Sequence, residues 1–376
     1  MNKTISGLRS SVSQNLMNIP GWRTGRKILV IESDDWGSIR MPSKEVYNKF
    51  VDRGMDITGT DYNRIDTLES NDDVSMLYEV LASIKNQAGK NPVITANTVV
   101  GNPDFEKIRQ SDFSEYSYES VTDTLKRYPG REKVESLWHQ GYSSGIFHPQ
   151  FHGREHVNIV RWMDALRTKT PEIMFTFNNH TTFSGDGDYN FMEVLDFNTP
   201  DDILKMKESL SDGLDLFEDI FGFRSKSFIP PCYTWNSDIE ETLNENGVRY
   251  IQGLVVQLIP TGSFGNYRKK YHFLGNRNKF GQYFLIRNAF FEPSLTRSSD
   301  IVGECLRRIN IAFRWKKPAI VSAHRINFIG TLDEKNRNDN LKLFGDLLKR
   351  IVKTWPDIEF MSSDQLGDLI AGSREH

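Results

Sequence analysis

Short apolar runs alternate with amphipathic stretches along nearly the whole 376-residue chain. No other feature limits the fold so strongly, because such alternation calls for a largely parallel sheet covered by helices. Residues 27–31 form a continuous apolar run of the kind found in strands buried on both faces. Further strands are expected at 92–100, in the segment leading into His148, and at 173–177, 227–229, 248–252, 283–291, 319–325 and 358–361. Helices are expected at 43–55, 72–87, 132–140, from His156 to about Arg167, and at 201–221, 237–246, 300–314 and 338–354. In 72–87, Met76, Leu77, Val80, Leu81 and Ile84 share one face, and Gly247 is placed to stop the helix before it. Seven to nine strand–helix units can be counted, and a chain of this length favours a barrel over an open sheet.

No low-complexity linker interrupts the pattern, so 27–376 reads as one domain, with inserted loops at about 101–131 and 260–282. Residues 1–26 are polar and mildly basic, and Leu8, Val12, Leu16 and Met17 make a weak apolar stripe. That stripe predicts an N-terminal extension packed on the barrel. No apolar run is long enough for a signal peptide or a membrane span, so a cytoplasmic protein with no integral membrane segment is expected. A net charge of -3 gives no basic field for nucleic acid. Cys232 and Cys305 fit no metal or redox spacing, which agrees with a reducing compartment.

The polar groups that end the apolar runs carry the chemistry. The first run leads into Asp34 and Asp35, and two adjacent carboxylates beyond a buried strand are costly unless a metal or a cation offsets them. His148, His152 and His156 follow at four-residue intervals. Pro149 favours extended geometry at His148 and can open a helical turn. On such a turn His148 and His152 lie on one side, close enough to share a metal ion, and His152 and His156 can do the same if the turn continues. Pro230 and Pro231 follow another strand, and His324 ends a later one. Parallel strands bring all these ends to one face. One Asp, two His and a water make a catalytic metal site with an open position. A remaining Asp can take the water's proton, and a remaining His can protonate a leaving group.

This order of Asp-Asp, a His-x-x-x-His pair, a Pro-Pro turn and a late strand-end His resembles the NodB-homology polysaccharide deacetylases of carbohydrate esterase family 4. The resemblance implies a distorted (β/α)7-type barrel of the glycoside hydrolase/deacetylase superfamily. It implies a hydrolase that removes an acetyl group, N- or O-linked, from a saccharide or sugar precursor. It implies one divalent ion, zinc above all, with cobalt or nickel as further candidates. Carried over residue by residue, Asp34 is the base, Asp35, His148 and His152 hold the metal, and His324 is the general acid. Pro231 and Cys232 belong to the turn whose backbone N–H meets the oxyanion. The chain departs from the family at Ile229, where an Arg normally pairs with the base. Arg287, Arg325 and Arg40 are candidates to orient Asp34 instead.

Trp36, Tyr233 and Trp235 are further candidates for substrate contact, with Phe290 and Phe291 also able to stack on a sugar ring, whereas Trp162 on a helix reads as core. Arg154, Glu155 and His156 are candidates for contact with substrate or ligands. Arg287 and Arg325 could hold a substrate phosphate or carboxylate, or pair with Glu292 or Asp34. Three other readings remain open. One is a degenerate deacetylase-like barrel that only binds carbohydrate. Another is a zinc peptidase using His152, Glu155 and His156. The last is a glycosidase, for which no clear carboxylate pair beyond Asp34 and Asp35 is visible.

Overall fold

The computed structural model of the chain describes residues 14–57, 59–184, 191–296 and 298–373. Nine strands form its main sheet: β1 (Ile28–Trp36), β2 (Ile94–Val99), β3 (Phe147–Gly153), β4 (Ser227–Phe228), β5 (Tyr250–Gly253), β6 (Tyr283–Ile286), β7 (Ala289–Phe290), β8 (Ala319–His324) and β9 (Glu359–Phe360). From β1 to β6 each strand pairs in parallel with the next. The chain then changes neighbour, because β7 pairs with β8 and β8 returns to β1. The sheet therefore curls back on its first strand. Among the described residues no ladder joins β6 to β7. Short β9 pairs with the start of β1.

Helices Asn71–Ala82, Val134–Ser143, Pro200–Phe221, Ile301–Arg314 and Glu334–Thr354 each bury one face. β1 is buried along its whole length, as a strand covered on both sides must be. Helix Ser363–Gly372 closes the end where the strands begin, and Ser363 Oγ donates to Glu32 inside the sheet. The strand ends that carry Asp34, Asp35, His152 and His324 open at the other side. Among the described residues no helix is long and apolar enough to cross a membrane.

Several elements differ from the sequence expectation. Residues 173–177, rich in aromatic and β-branched side chains, lie in the helix Pro171–Asn178. Thr170 caps it and Pro171 opens it, and these terminal signals outweigh strand propensity. The stretch 101–131 holds an antiparallel pair, Gly101–Pro103 with Tyr118–Ser120, and two short helices. Part of 260–282 folds as a hairpin, Val256–Pro260 against Tyr267–Tyr271. Strand 283–291 is broken at Arg287 and Asn288, where it changes partner. Leu8 and Val12 lie outside the described residues. Leu16 is exposed, while Trp22 N–H donates to Leu274 O and Lys317 Nζ to the carbonyls of Pro20 and Trp22.

Candidate active site

Adjacent residues on a regular strand point to opposite faces, yet Asp34 and Asp35 both line one cavity. A bulge explains this. Between the pairs Ser33–Ala96 and Trp36–Thr98, β1 has two residues and β2 has one. Asp35 carries the bend at φ 75°, a conformation that Asp tolerates better than most residues. Gly37 continues it at φ 79°, where a Cβ would lie 2.4 Å from Val99 O. A second bulge lies on β3, because Thr98 pairs with Phe151 and Val99 with Gly153. His152 is the extra residue. Both bulges re-aim side chains at the mouth of the sheet.

Asp35, His152 and His156 converge there, all buried, each offering one ligand atom within 4.8 Å of the others. Both Nε2 atoms lie 3.3 Å from Asp35 Oδ1. His152 Nδ1 donates to the carbonyl of Ile229 at 2.8 Å. A carbonyl can only accept, so in the neutral ring Nε2 is a bare lone pair facing a carboxylate oxygen. Two lone pairs at that distance need a proton or a cation between them. Burial and the neighbouring Arg40 hold His156 down to about 3, so its ring is neutral, the form that binds metal. One carboxylate oxygen and two imidazole nitrogens fit a zinc-like divalent ion with an open position.

His148 is not part of this set, which corrects the sequence reading. His148 to His152 is extended strand rather than a helical turn, and four strand residues span about 13 Å. His148 sits at the opposite end of β3, where its Nε2 donates to Asp364 at 3.1 Å. The His-x-x-x-His spacing survives one step along, in His152 and His156. Gly153, at φ 123°, lets the chain leave the strand and fold back.

Asp34 is held by a guanidinium fork, with Arg287 Nη2 to Oδ1 at 2.6 Å and Nη1 to Oδ2 at 2.7 Å. Asn97, opposite the bulge, donates to Oδ1 at 2.7 Å. Burial alone would raise this carboxyl, but Arg287 outweighs it and holds Asp34 down at about 2. Of Arg287, Arg325 and Arg40, it is Arg287 that orients Asp34, and its Nε also binds Glu32. Across the ladder, Asp34 pairs with His324, whose Nε2 is 3.6 Å from Asp34 Oδ2. His324 Nδ1 donates to Glu292 Oε1 at 2.7 Å, and Asn327 Nδ2 fixes the other Glu292 oxygen. Burial opposes charge on His324, but Glu292 and then Asp34 outweigh it and push the ring up to about 9.

A cavity of about 460 Å³ contains Asp34, Asp35, His152, His156 and His324. Arg40, Met41, Tyr62, Phe191, Met192, Cys232 and Tyr233 line it too. The turn at Pro231–Tyr233 uses the amides of Tyr233 and Thr234 for its own bonds. Cys232 N–H lies ahead of them, among the opening donors that such a turn leaves without an internal acceptor.

Other candidates lie elsewhere. Trp36 is fully buried, edge-on to Phe147, with Nε1 donating to Ser33. Trp235 is buried with Nε1 on Glu240, and Phe291 is core. Neither tryptophan can stack on a sugar. Trp162 is in the core. Phe290 lies under the guanidinium of Arg308, outside the cavity lining. Arg154 is turned to Glu155 and Asp212, and Ser209 donates to Glu155. Those contacts bind the β3 exit to helix Pro200–Phe221 and leave Glu155 unable to serve as a peptidase base. Pro231 is buried, and Pro230 rather than Pro231 lines the cavity. Arg325 pairs with Asp66 and Glu69, not with Glu292 or Asp34, and neither it nor Arg287 opens onto the cavity. Glu69 accepts from Gly37 N–H, so this layer braces the bulge from behind.

Glu292 as partner of His324 escapes the sequence reading. Its signal is the one that marks Asp34, a carboxylate directly after an apolar run, here 289–291. Asn97 carries no such local signal, because its role follows from ladder register.

No protein-family model matches the chain, and no curated protein matches it. Among solved structures, a Mycobacterium smegmatis protein assigned as a polysaccharide deacetylase is 10% identical, with 94% of each chain covered and a TM-score of 0.45. A Parabacteroides distasonis protein assigned as a glycoside hydrolase/deacetylase is 8% identical over 92% of this chain and 71% of that one, with a TM-score of 0.48. The Puue allantoinase is 10% identical over 93% of each chain, with a TM-score of 0.44. At such values these likenesses bear no weight for the site, which stands on its own geometry.

Proposed function

We propose that the chain is a metal-dependent hydrolase that removes an acyl group, N- or O-linked, from a saccharide or sugar precursor, on a distorted (β/α)7-type barrel. The observation that carries this reading is the meeting of three groups in one cavity. These are the Asp35–His152–His156 donor set, an ionised Asp34 and a cationic His324. The saccharide rests on the order of motifs shared with the deacetylase family, with the metal pair moved to His152 and His156.

When bound, a zinc-like ion would supply Lewis acidity and a more acidic water. Asp34, held ionised by Arg287, accepts a proton from the attacking water. A carboxylate held so low is a weak base, so Arg287 exchanges basicity for a fixed charge and a fixed orientation. His324 carries its proton at neutral pH and gives it from Nε2 to the departing amine or alcohol. Glu292 holds the other face of that ring, so the proton lies on the cavity side. The amide of Cys232, a residue that lines the cavity, meets the oxyanion in this reading.

Acetate release from a panel of N-acetyl and O-acetyl sugars and sugar nucleotides, measured with and without added zinc, tests the proposal. Asp35→Ala is expected to lose the bound ion and about a thousandfold in turnover, since metal polarisation contributes several kcal/mol. Full activity in Asp35→Ala, or in protein stripped by chelator, would reject it.

A further inference from the structure

Arg40 uses little of its donor capacity within the fold. It lies between Asp35 and Asp66, 3.5 Å from each. Arg325 meets the same Asp66 at 2.9 Å and Arg287 meets Asp34 at 2.6 Å. The Arg40 side chain is only 10% exposed, and its buried Nε, the atom 3.5 Å from Asp66 Oδ2, makes no hydrogen bond among the described residues. Its Nη1 leans on the Met192 sulfur, a weak acceptor. Buried donors left unsatisfied are costly, most of all on a charged group. Arg40 is also the only Lys or Arg among the described residues lining the cavity. It approaches Asp35 from Oδ2, while the two histidines meet Oδ1.

We propose that Arg40 receives a negatively charged oxygen of the acyl group, which makes it a catalytic residue. The inference rests on the hydrolase reading above. When water adds, it gives one proton to Asp34, its oxygen bonds to the acyl carbon and the carbonyl electron pair moves onto the former carbonyl oxygen. That pair returns as the C–N or C–O bond breaks and the leaving group takes a proton from His324. The carboxylic acid left behind passes the water's second proton to the now neutral His324 and becomes the carboxylate. Both the oxyanion and the released carboxylate need a cation beside Asp35, and Arg40 offers a planar fork suited to either. The same position has a cost for metal binding. A guanidinium beside the ligand carboxylate repels a cation placed there.

Zinc affinity by chelator competition, and acetate affinity of the zinc-loaded protein by calorimetry, test this in wild type, Arg40→Met and Arg40→Lys. Arg40→Met is expected to bind zinc about tenfold more tightly or better, and acetate about tenfold more weakly. Its kcat should fall with less change in KM. Weaker zinc binding would make Arg40 a brace for Asp35 and overturn the proposal, as would unchanged acetate affinity. Arg40→Lys decides the matter if the Met variant folds poorly. It keeps the charge but loses the fork, so acetate should bind between the wild-type and Met values with zinc affinity near wild type. Equal acetate affinity in the Lys variant and wild type would overturn the fork. Wild-type protein that takes up no divalent ion would defeat the hydrolase reading itself. Wild type that binds zinc and releases acetate, beside a Met variant with normal acetate affinity, would defeat the Arg40 role alone.

Discussion

Asp34 and Asp35 are neighbours on one bulge, yet their surroundings differ. Asp34 has the Arg287 fork across both oxygens and a third bond, from Asn97, on Oδ1. Asp35 has Arg40 at 3.5 Å on one oxygen and two imidazole nitrogens at 3.3 Å on the other. A carboxylate with three of its roughly four lone pairs taken makes a poor ligand, yet it keeps one on Oδ2, on the side of His324, that can still take a proton. A loosely held carboxylate beside two ring nitrogens is a ligand in waiting. The proposed division of labour therefore lies in the arginines and in ladder register, not in the Asp-Asp sequence, which treats the two alike.

The most disruptive way to break this contrast is Arg287→Met. Removing one partner of a buried, hydrogen-bonded ion pair costs about 3–5 kcal/mol, because the remaining charges have no water to turn to. Here two carboxylates, Glu32 and Asp34, are left behind. Urea denaturation should show a loss in that range at neutral pH, and the loss should shrink at low pH where Asp34 can take a proton. A change under about 1 kcal/mol would mean that Arg287 does not hold Asp34 in solution as it does here.

A smaller effect sharpens the view of the acid side. Glu292→Gln keeps a hydrogen-bond acceptor for His324 but removes the charge. With the ring up at about 9 in the wild type and an ordinary value of 6.5, the variant ring should titrate well below 9. His324 gains its proton's stabilisation in the fold, so that contribution is complete below about 6.5 and disappears as pH rises through about 9. The variant should lack this decline. The alkaline limb of turnover should also move to lower pH if His324 is the acid. Imidazole NMR of metal-free protein follows the ring directly, and an unmoved titration would remove Glu292 from its role.

Much of this arrangement is legible in the chain. The alternation of runs gives the parallel sheet, and a polar residue at the end of an apolar run marks Asp34, Asp35 and His324. The same rule reaches Glu292 when applied to 289–291. Two kinds of information are not local. Bulges at Asp34–Asp35 and His152 exist only relative to a partner strand, so no stretch of sequence displays them. The tryptophans point the other way. Trp36 ends β1 and Trp235 follows the Pro231–Tyr233 turn, both at the correct face of the sheet, yet their size draws them into the core, where each indole N–H finds an acceptor.

The smallest expected effect addresses the choice between the two overlapping histidine pairs. A helical reading of 148–152 and an extended one differ by a rise of 1.5 Å against about 3.3 Å per residue. The extended form moves His148 to the far end of β3, beside Asp364 and the rings of Tyr142 and Phe223. That contact is largely buried, the two side chains being 17% and 12% exposed, so losing it should cost about 1–3 kcal/mol of stability without touching the site. His148→Ala is thus expected to keep a full complement of bound zinc and near-normal turnover. His156→Ala, on the same strand's other flank, should lose the ion. Metal content by mass spectrometry on the two variants separates the pairs. Loss of zinc from the His148 variant, with His156→Ala still loaded, would return the site to the helical reading and undo the division between Asp34 and Asp35.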